Sequence, residues 1–208
     1  MSSFIVPEYI KKRNQKINQN WNKTFDKLKI FDLIEYDKLV YLDCDMMILA
    51  NLDFLFEYPT FSAAWAGKSV PGDHEFGTFN SGCMVITPVK GLSDKIFALL
   101  DEVTARKPKG VGDQDLIQHY LGSWEKQTEK HIPEGCGVFG NYLDFYINKL
   151  GYSIGKNAEK DVKIIHFIGP DKPWKLSKYR LFKFIVNRIK NGHTYYACWT
   201  IRYLFLTR

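Results

Sequence analysis

Leu39-Val40-Tyr41-Leu42-Asp43-Cys44-Asp45 is a four-residue apolar run that ends on two carboxylates two positions apart. A short apolar run bounded by charge is the pattern of a buried strand. The carboxylates then stand past the end of that strand, where open α/β sheets bind ligands. On a continuing strand, residues i and i+2 face the same side, so both can reach one cation. Hard carboxylate oxygens suit Mg2+ or Mn2+, which in turn bind phosphate oxygens. The competing reading is an acidic loop end in which one aspartate caps the next turn, and Asp-x-Asp alone is a common pattern.

The pattern around this stretch alternates helices with strands. Upstream, residues 7–23 are polar and read as a loop or short helix, and residues 24–35 place Phe25, Leu28, Phe31 and Leu33 or Ile34 at helical spacing, with Thr24 as the expected cap. Downstream, the reading gives a short helix near Asn51–Phe56, a strand over Ala63–Ala66, a loop over 67–78 and a strand over Cys83–Thr87. Leu92–Arg106 reads as one helix with Ile96, Leu99, Leu100 and Val103 on a face, and a second helix starts at Asp113. Val162–Ile168 is a further strand, running into a loop at Gly169–Pro173. This order predicts an α/β domain with a largely parallel or mixed sheet flanked by helices.

With 208 residues, 45% hydrophobic and 25% charged, the chain is too apolar for a disordered tail and long enough for one domain or two small ones. No apolar run approaches the length that spans a bilayer, and the N-terminus shows no signal-peptide pattern. Cys44, Cys83, Cys136 and Cys198 have no metal-site or disulfide spacing; each reads as a small apolar filler, which points to a reducing, cytoplasmic setting. The net charge of +6 is uneven: Lys175 to Arg208 hold eight Lys/Arg and no Asp/Glu, leaving 21 basic against 23 acidic residues in the other 174. The expected organisation is therefore a catalytic domain over 1–178 and a basic, aromatic tail over 179–208. Leu181, Phe184, Ile185 and Ile189 share one helical face of that tail, so it reads either as a helix packed on the domain or as an interfacial helix at the inner face of an anionic membrane. Nucleic acid is the weaker partner, since no recognition module accompanies the charge.

Three further clusters carry polar chemistry. Phe79-Asn80-Ser81-Gly82 precedes an apolar strand; Asn80 and Ser81 can bond sugar hydroxyls and Gly82 permits close backbone approach, although an ordinary loop-to-strand turn has the same look. Gly112-Asp113-Gln114-Asp115 sits at a helix start, where Asp113 is by default an N-cap and otherwise a pocket carboxylate beside the Gln114 amide. His166-Phe167-Ile168-Gly169-Pro170-Asp171-Lys172-Pro173-Trp174 puts an imidazole at a strand end before a Gly- and Lys-bearing loop, the groups a diphosphate needs. His166 with Asp43 and Asp45 makes a two-carboxylate, one-imidazole metal site with positions open for phosphate.

Taken in order, Val40 to Asp45, Leu49 to Phe56, Phe79 to Gly82, Gly112 to Gln114 and His166 to Trp174 resemble glycosyltransferase family eight, the glycogenin-like and bacterial surface-polysaccharide transferases, over residues 22–174. The resemblance implies a GT-A-type nucleotide-sugar transferase fold. It implies transfer of a hexose, usually from a UDP-sugar, with retention at the anomeric carbon, to a saccharide or lipid-linked acceptor. By the same resemblance Asp43, Asp45 and His166 bind Mn2+ (or Mg2+), Lys27 contacts the donor, and Asn80 and Ser81 face the donor sugar. Asp113 and Gln114 lie beside the anomeric centre as the catalytic pair, Gly169 and Lys172 hold the β-phosphate, and Trp174 packs the loop shut. Retention allows a covalent intermediate or front-face attack, and Asp113 is the one carboxylate of the set not assigned to metal.

The chain departs from the family pattern in several places. The opening βαβ unit that clamps uridine and ribose has no counterpart, so an N-terminally incomplete fold is expected, and an inactive or partner-completed relative is the alternative function. Gly110 and Ala66 stand where some relatives carry acids, Asp73 being a distant substitute. Tyr146, Lys149 and Tyr152 give no clean match to a self-glucosylated tyrosine. A haloacid-dehalogenase-type phosphatase also places Asp-x-Asp after a strand, but it leaves Asn80–Gly82 and His166–Trp174 unexplained.

Overall fold

The computed structural model describes residues 3–17, 20–65, 67–70, 79–107, 109–156, 158–169 and 172–206. Most of the expected 67–78 loop, Ala66, Asp73, and Pro170 and Asp171 of the second loop lie outside the described residues. In chain order the elements are α1 (Glu8–Gln15), α2 (Trp21–Thr24), a 3-10 helix (Phe25–Asp32), β1 (Leu39–Leu42), β2 (Met46–Ile48), a 3-10 helix (Asp53–Glu57), β3 (Ser62–Trp65), β4 (Phe79–Ile86), α3 (Leu92–Phe97), α4 (Leu100–Arg106) and α5 (Asp113–Leu121). There follow β5 (His131–Ile132), β6 (Val138–Phe139), α6 (Leu143–Asn148), β7 (Ser153–Ile154), β8 (Asp161–Val162), β9 (Ile164–His166), α7 (Lys178–Lys190) and α8 (Thr194–Leu206), with 3-10 turns between them. The chain divides into two compact units, Met1–Tyr41 with Leu55–Ala63 and Phe79–His131, and Leu42–Phe54 with Ala64–Thr78 and Ile132–Arg208.

The first unit is organised by β4, which is buried along its whole length and lies second in a sheet of order β1-β4-β3-β5. The Phe25–Asp32 segment is a 3-10 helix rather than the expected α-helix. Its buried residues Phe25, Leu28 and Phe31 recur every third position, and a three-residue period stacks them on one edge only at three residues per turn. Of the two residues offered for the end of that face, Ile34 is exposed and Leu33 is half-buried. Thr24 ends α2 with helical backbone and makes no cap; its hydroxyl donates to the Trp21 carbonyl. The single helix expected over 92–106 is two, because Leu99 N–H bonds the Ile96 carbonyl in a tighter turn at the junction. Strand β4 begins four residues earlier than expected, so Phe79-Asn80-Ser81-Gly82 lies on the strand rather than in a turn before it.

A buried asparagine fixes the approach to α5. Asn14 exchanges two bonds with the Val111 backbone, Nδ2 to O at 2.9 Å and N to Oδ1 at 3.0 Å, as a strand neighbour would. Gly110 beside it has φ +140°, and a Cβ there would meet the Trp21 ring at 2.8 Å. Both the conformation and the space exclude the acid that some relatives carry at this position.

The second unit holds a mixed sheet of order β2-β9-β6, antiparallel between β2 and β9 and parallel between β9 and β6. β7 and β8 pair separately in parallel. The strand expected over 162–168 therefore divides at Lys163, whose N–H bonds Gly135 and whose carbonyl accepts from Leu49 as the chain changes sheets. Met47, Val138, Leu143, Tyr146, Val162, Ile165, Phe167 and Tyr196 form its buried core. Tyr196 brings α8 into that core over Gly140, where a Cβ would lie 2.3 Å from the tyrosine ring. The Asp144 carboxylate accepts from Tyr195 N–H at 2.9 Å and Tyr196 N–H at 3.1 Å, satisfying two of the orphan donors of the α8 N-terminus.

Two of the four cysteines correct the filler reading: Cys44 and Cys198 are exposed, whereas Cys83 and Cys136 are buried. Burial pushes the Cys136 thiol up to about 12 against the opposing pull of Lys163. Two thiols are expected to react rapidly with a disulfide reagent in the native protein, and all four after denaturation; fast reaction of all four in native buffer contradicts this packing. Asp144→Ala is expected to cost about 1–2 kcal/mol through loss of the α8 cap, read as a lower urea midpoint, and an unchanged midpoint rejects it.

Candidate functional site: a carboxylate–imidazole cluster

Strand β1 ends at Leu42, and Asp43-Cys44-Asp45 is a turn closed by Met46 N–H on the Asp43 carbonyl at 3.1 Å. The continuing strand expected there is absent. The two carboxylates share a side because the turn brings them round. The antiparallel register Met46↔His166, Met47↔Ile165, Ile48↔Ile164 then places the end of β9 opposite this turn. Phe167 N–H extends the ladder to the Asp45 carbonyl at 2.9 Å.

His166 Nε2 lies 3.0 Å from Asp45 Oδ1 and 3.9 Å from Asp43 Oδ2. One ligand atom from each of the three residues falls within 4.8 Å of the others. Octahedral ligands at ~2.1 Å from an ion stand about 3 Å apart when adjacent and about 4.2 Å when opposite; the two separations from His166, 3.0 and 3.9 Å, fall in that range, so the donor chemistry and spacing suit a Mg2+- or Mn2+-sized cation after a small inward adjustment of the third ligand. The His166 ring is held edge-on by Phe139 at 5.6 Å, and its buried Nδ1 has no hydrogen-bond partner among the described residues. Among the described residues, no other group of three His, Cys, Asp or Glu converges in this way.

Lys172 brings the counter-charge. Its ammonium donates to Asp45 Oδ2 and to the Phe167 carbonyl. Burial alone would raise the Asp45 carboxyl, but His166 and Lys172 outweigh it and hold the group below the usual carboxylate range. Gly169, at φ +94°, turns the chain out of β9 in a conformation that favours glycine. Trp174 closes the same loop: its ring stands edge-on to Phe167 at 5.8 Å and against Tyr203 of α8 at 5.1 Å, while Phe167 meets Tyr203 at 5.3 Å. Gly169 and Trp174 thus shape the Lys172 loop. Tyr203 was not legible as part of this support, since only the fold brings α8 to the loop.

The first unit carries its own polar cluster. Lys27 Nζ lies 2.9 Å from Asp113 Oδ2, with both side chains nearly buried, and 3.3 Å from Ser81 Oγ. Ser81 Oγ donates to Asp113 Oδ2 at 2.9 Å, and Ser81 N–H donates to Gln114 Oε1 at 3.1 Å. Asn80 Oδ1 accepts from Gly82 N–H at 2.9 Å, while its buried amide nitrogen has no partner among the described residues. Asp113 is not the helix cap: Gly112 occupies that position, and Asp115 accepts the Gly112 N–H at 2.8 Å. That frees the Asp113 carboxylate for Lys27 and Ser81, and its own N–H is taken by Thr24 Oγ1 at 3.3 Å. The structure therefore gathers Asp43, Asp45, His166 and Lys172 in one unit, and Lys27, Ser81, Asp113 and Gln114, with Asn80 and Gly82 beside them, in the other.

The carboxylate–imidazole cluster lies at the strand ends of a mixed sheet in an α/β protein. The chain belongs to glycosyltransferase family 8, whose model matches residues 4–177. It is 32% identical over 160 residues to glycogenin-1 of Caenorhabditis elegans, covering 73% of this chain and 32% of that protein. Against glycogenin-1 of Mus musculus it is 32% identical over 152 residues, covering 73% and 41%. Against UDP-glucuronate:xylan alpha-glucuronosyltransferase 1 of Arabidopsis thaliana it is 28% identical over 173 residues, covering 78% and 23%. The crystal structure of the apo-form glycosyltransferase GlyE of Streptococcus pneumoniae TIGR4 compares at TM-score 0.49 and 24% identity, covering 74% of this chain and 39% of that one. The chain thus spans less than half the length of the relatives it matches. Its mixed sheets flanked by helices agree with the α/β, GT-A-type expectation, and family membership sets aside the phosphatase reading of Asp-x-Asp.

Lys27→Met leaves the Asp113 carboxylate nearly buried without its cation and is expected to cost about 3 kcal/mol. Lys27→Met/Asp113→Asn should recover most of that loss in urea unfolding. Strictly additive losses contradict the pairing.

Proposed function

We propose that this protein transfers a hexose from a UDP-sugar to a saccharide or lipid-linked acceptor, with retention and with a divalent cation, Mn2+ or Mg2+. The observation that carries the reading is the convergence of Asp43, Asp45 and His166 beside the Lys172 ammonium. The relative named for UDP-glucuronate and xylan supports a UDP-linked donor and a polysaccharide-type acceptor.

Departure of a nucleoside diphosphate builds negative charge on its β-phosphate oxygens. A cation held by Asp43, Asp45 and His166 supplies positive charge there. The Lys172 ammonium adds a fixed charge, and because Asp45 and the Phe167 carbonyl already orient it, little reorganisation accompanies reaction. The Gly169 turn leaves room for phosphate against the backbone. In the other cluster, Asn80 offers an amide donor to a sugar hydroxyl, and Gln114 and Gly82 bracket the same stretch of β4. Asp113, gripped by Lys27 and Ser81, is a fixed acceptor for a hydroxyl and the carboxylate of that cluster nearest in kind to a nucleophile.

A screen of UDP-sugars for released UDP, with Mn2+ or Mg2+ added, tests the reading. Turnover is expected with at least one donor and is abolished by chelation. Asp43→Asn and Asp45→Asn should reduce it by about 100-fold or more, the scale of losing a group that stabilises transition-state charge. Full activity in both variants, on protein with unchanged circular dichroism, rejects the site. Calorimetry with UDP and Mn2+ gives a second reading: heat is expected, and its absence rejects donor binding.

A further inference from the structure

Helix α7 carries two apolar stripes. The inner one runs through Leu181, Phe184 and Ile185. Phe184 stands edge-on to Tyr196 of α8 at 5.9 Å, and the Arg188 guanidinium lies over both rings at 4.9 and 5.0 Å. The outer stripe is Tyr179, Phe182, Val186 and Ile189, spaced so that all four fall within about 100° of the helix circumference. Tyr179 and Phe182 are each 66% exposed and Ile189 is 50% exposed, and no residue of the helix is fully buried. Lys178, Lys183 and Lys190 border this stripe, and from Lys175 to Arg208 the chain contains eight Lys/Arg and no Asp/Glu. Of the face expected from sequence, Leu181, Phe184 and Ile185 are half-buried, whereas Ile189, expected beside them, is exposed and belongs to the outer stripe.

We propose that the outer face of α7 is an interfacial surface that seats on an anionic phospholipid bilayer. Exposed Tyr179, Phe182 and Ile189 would enter the acyl boundary, and the flanking lysines would meet lipid phosphates. An acyl layer with a negative headgroup plane is complementary to an apolar stripe between two cationic edges; a polyanion alone satisfies only the edges. α7 starts six residues after Lys172, at most about 21 Å of extended chain, so a seated helix holds the Lys172 cluster near the bilayer. That favours the lipid-linked acceptor, a consequence that rests on the proposed transfer reaction; the lipid contact itself does not.

Flotation with phosphatidylcholine vesicles, with and without phosphatidylglycerol, tests the surface. The whole protein is expected to float with phosphatidylglycerol vesicles at low salt, to do so weakly at high salt, and to stay behind with phosphatidylcholine alone. Phe182→Ser should lower partitioning about tenfold, and Lys183→Glu/Lys190→Glu about tenfold or more. These side chains face solvent, so circular dichroism should not change. The wild-type comparison of the two lipids needs no variant. Failure to float at low salt overturns the proposal. So does flotation of both variants like the wild type, or retention of a single-stranded oligonucleotide by protein that ignores vesicles.

Discussion

The pairing of β2 with β9 is the constraint on which the candidate metal centre depends. Asp45 and His166 are far apart in sequence, and only the register that sets Met46 against His166 brings their side chains together. Side chains alternate along a strand, so a one-residue slip would turn His166 to the opposite face and Ile165 toward the carboxylates. The register is well specified because the buried residues Met47 and Ile165 sit opposite each other within the core of the second unit. Packing of two apolar side chains thus decides where an imidazole meets two carboxylates.

The polar groups of both clusters are balanced locally. Asp45 shares its oxygens between His166 and Lys172, and Asp113 is held by Lys27 and Ser81. Partly buried carboxylates without such partners would carry a large desolvation cost. The partners also immobilise them, so each cluster presents charge in a defined direction. Support for the Lys172 loop comes from beyond the family match, which ends at residue 177. Asp144 starts α8, Tyr196 anchors it, and Tyr203 bears on Trp174 and Phe167.

Strong local patterns were readable. The run Leu39–Leu42 forms a strand, half-buried along its length rather than buried as its apolar pattern predicts, and the Gly112–Gln114 stretch starts a helix. The convergence of His166 with the Asp-x-Asp pair could be anticipated from donor chemistry and a strand-end position. What was misread depends on tertiary context. Phe25, Leu28 and Phe31 fit an α-helical face nearly as well as a 3-10 edge, and burial of all three in one line selects the latter. Asn80 and Ser81 look like turn residues, but Gln114 and Asp113 supply partners that let them sit on a buried strand. Asp113 has the residue type and position of a cap, but Asp115 reaches back to the Gly112 N–H and takes that role. Asn14 and Asp144 carried no local signal, since each bonds backbone far along the chain.

Asp43, Asp45 and His166 are proposed to hold one divalent ion. Crystals grown with Mn2+ and UDP and measured at the manganese edge test it most directly. One anomalous peak is expected at bonding distance, about 2.2 Å, from a carboxylate oxygen of each aspartate and from His166 Nε2. A protein-bound manganese peak elsewhere, with none among these three side chains, contradicts the account.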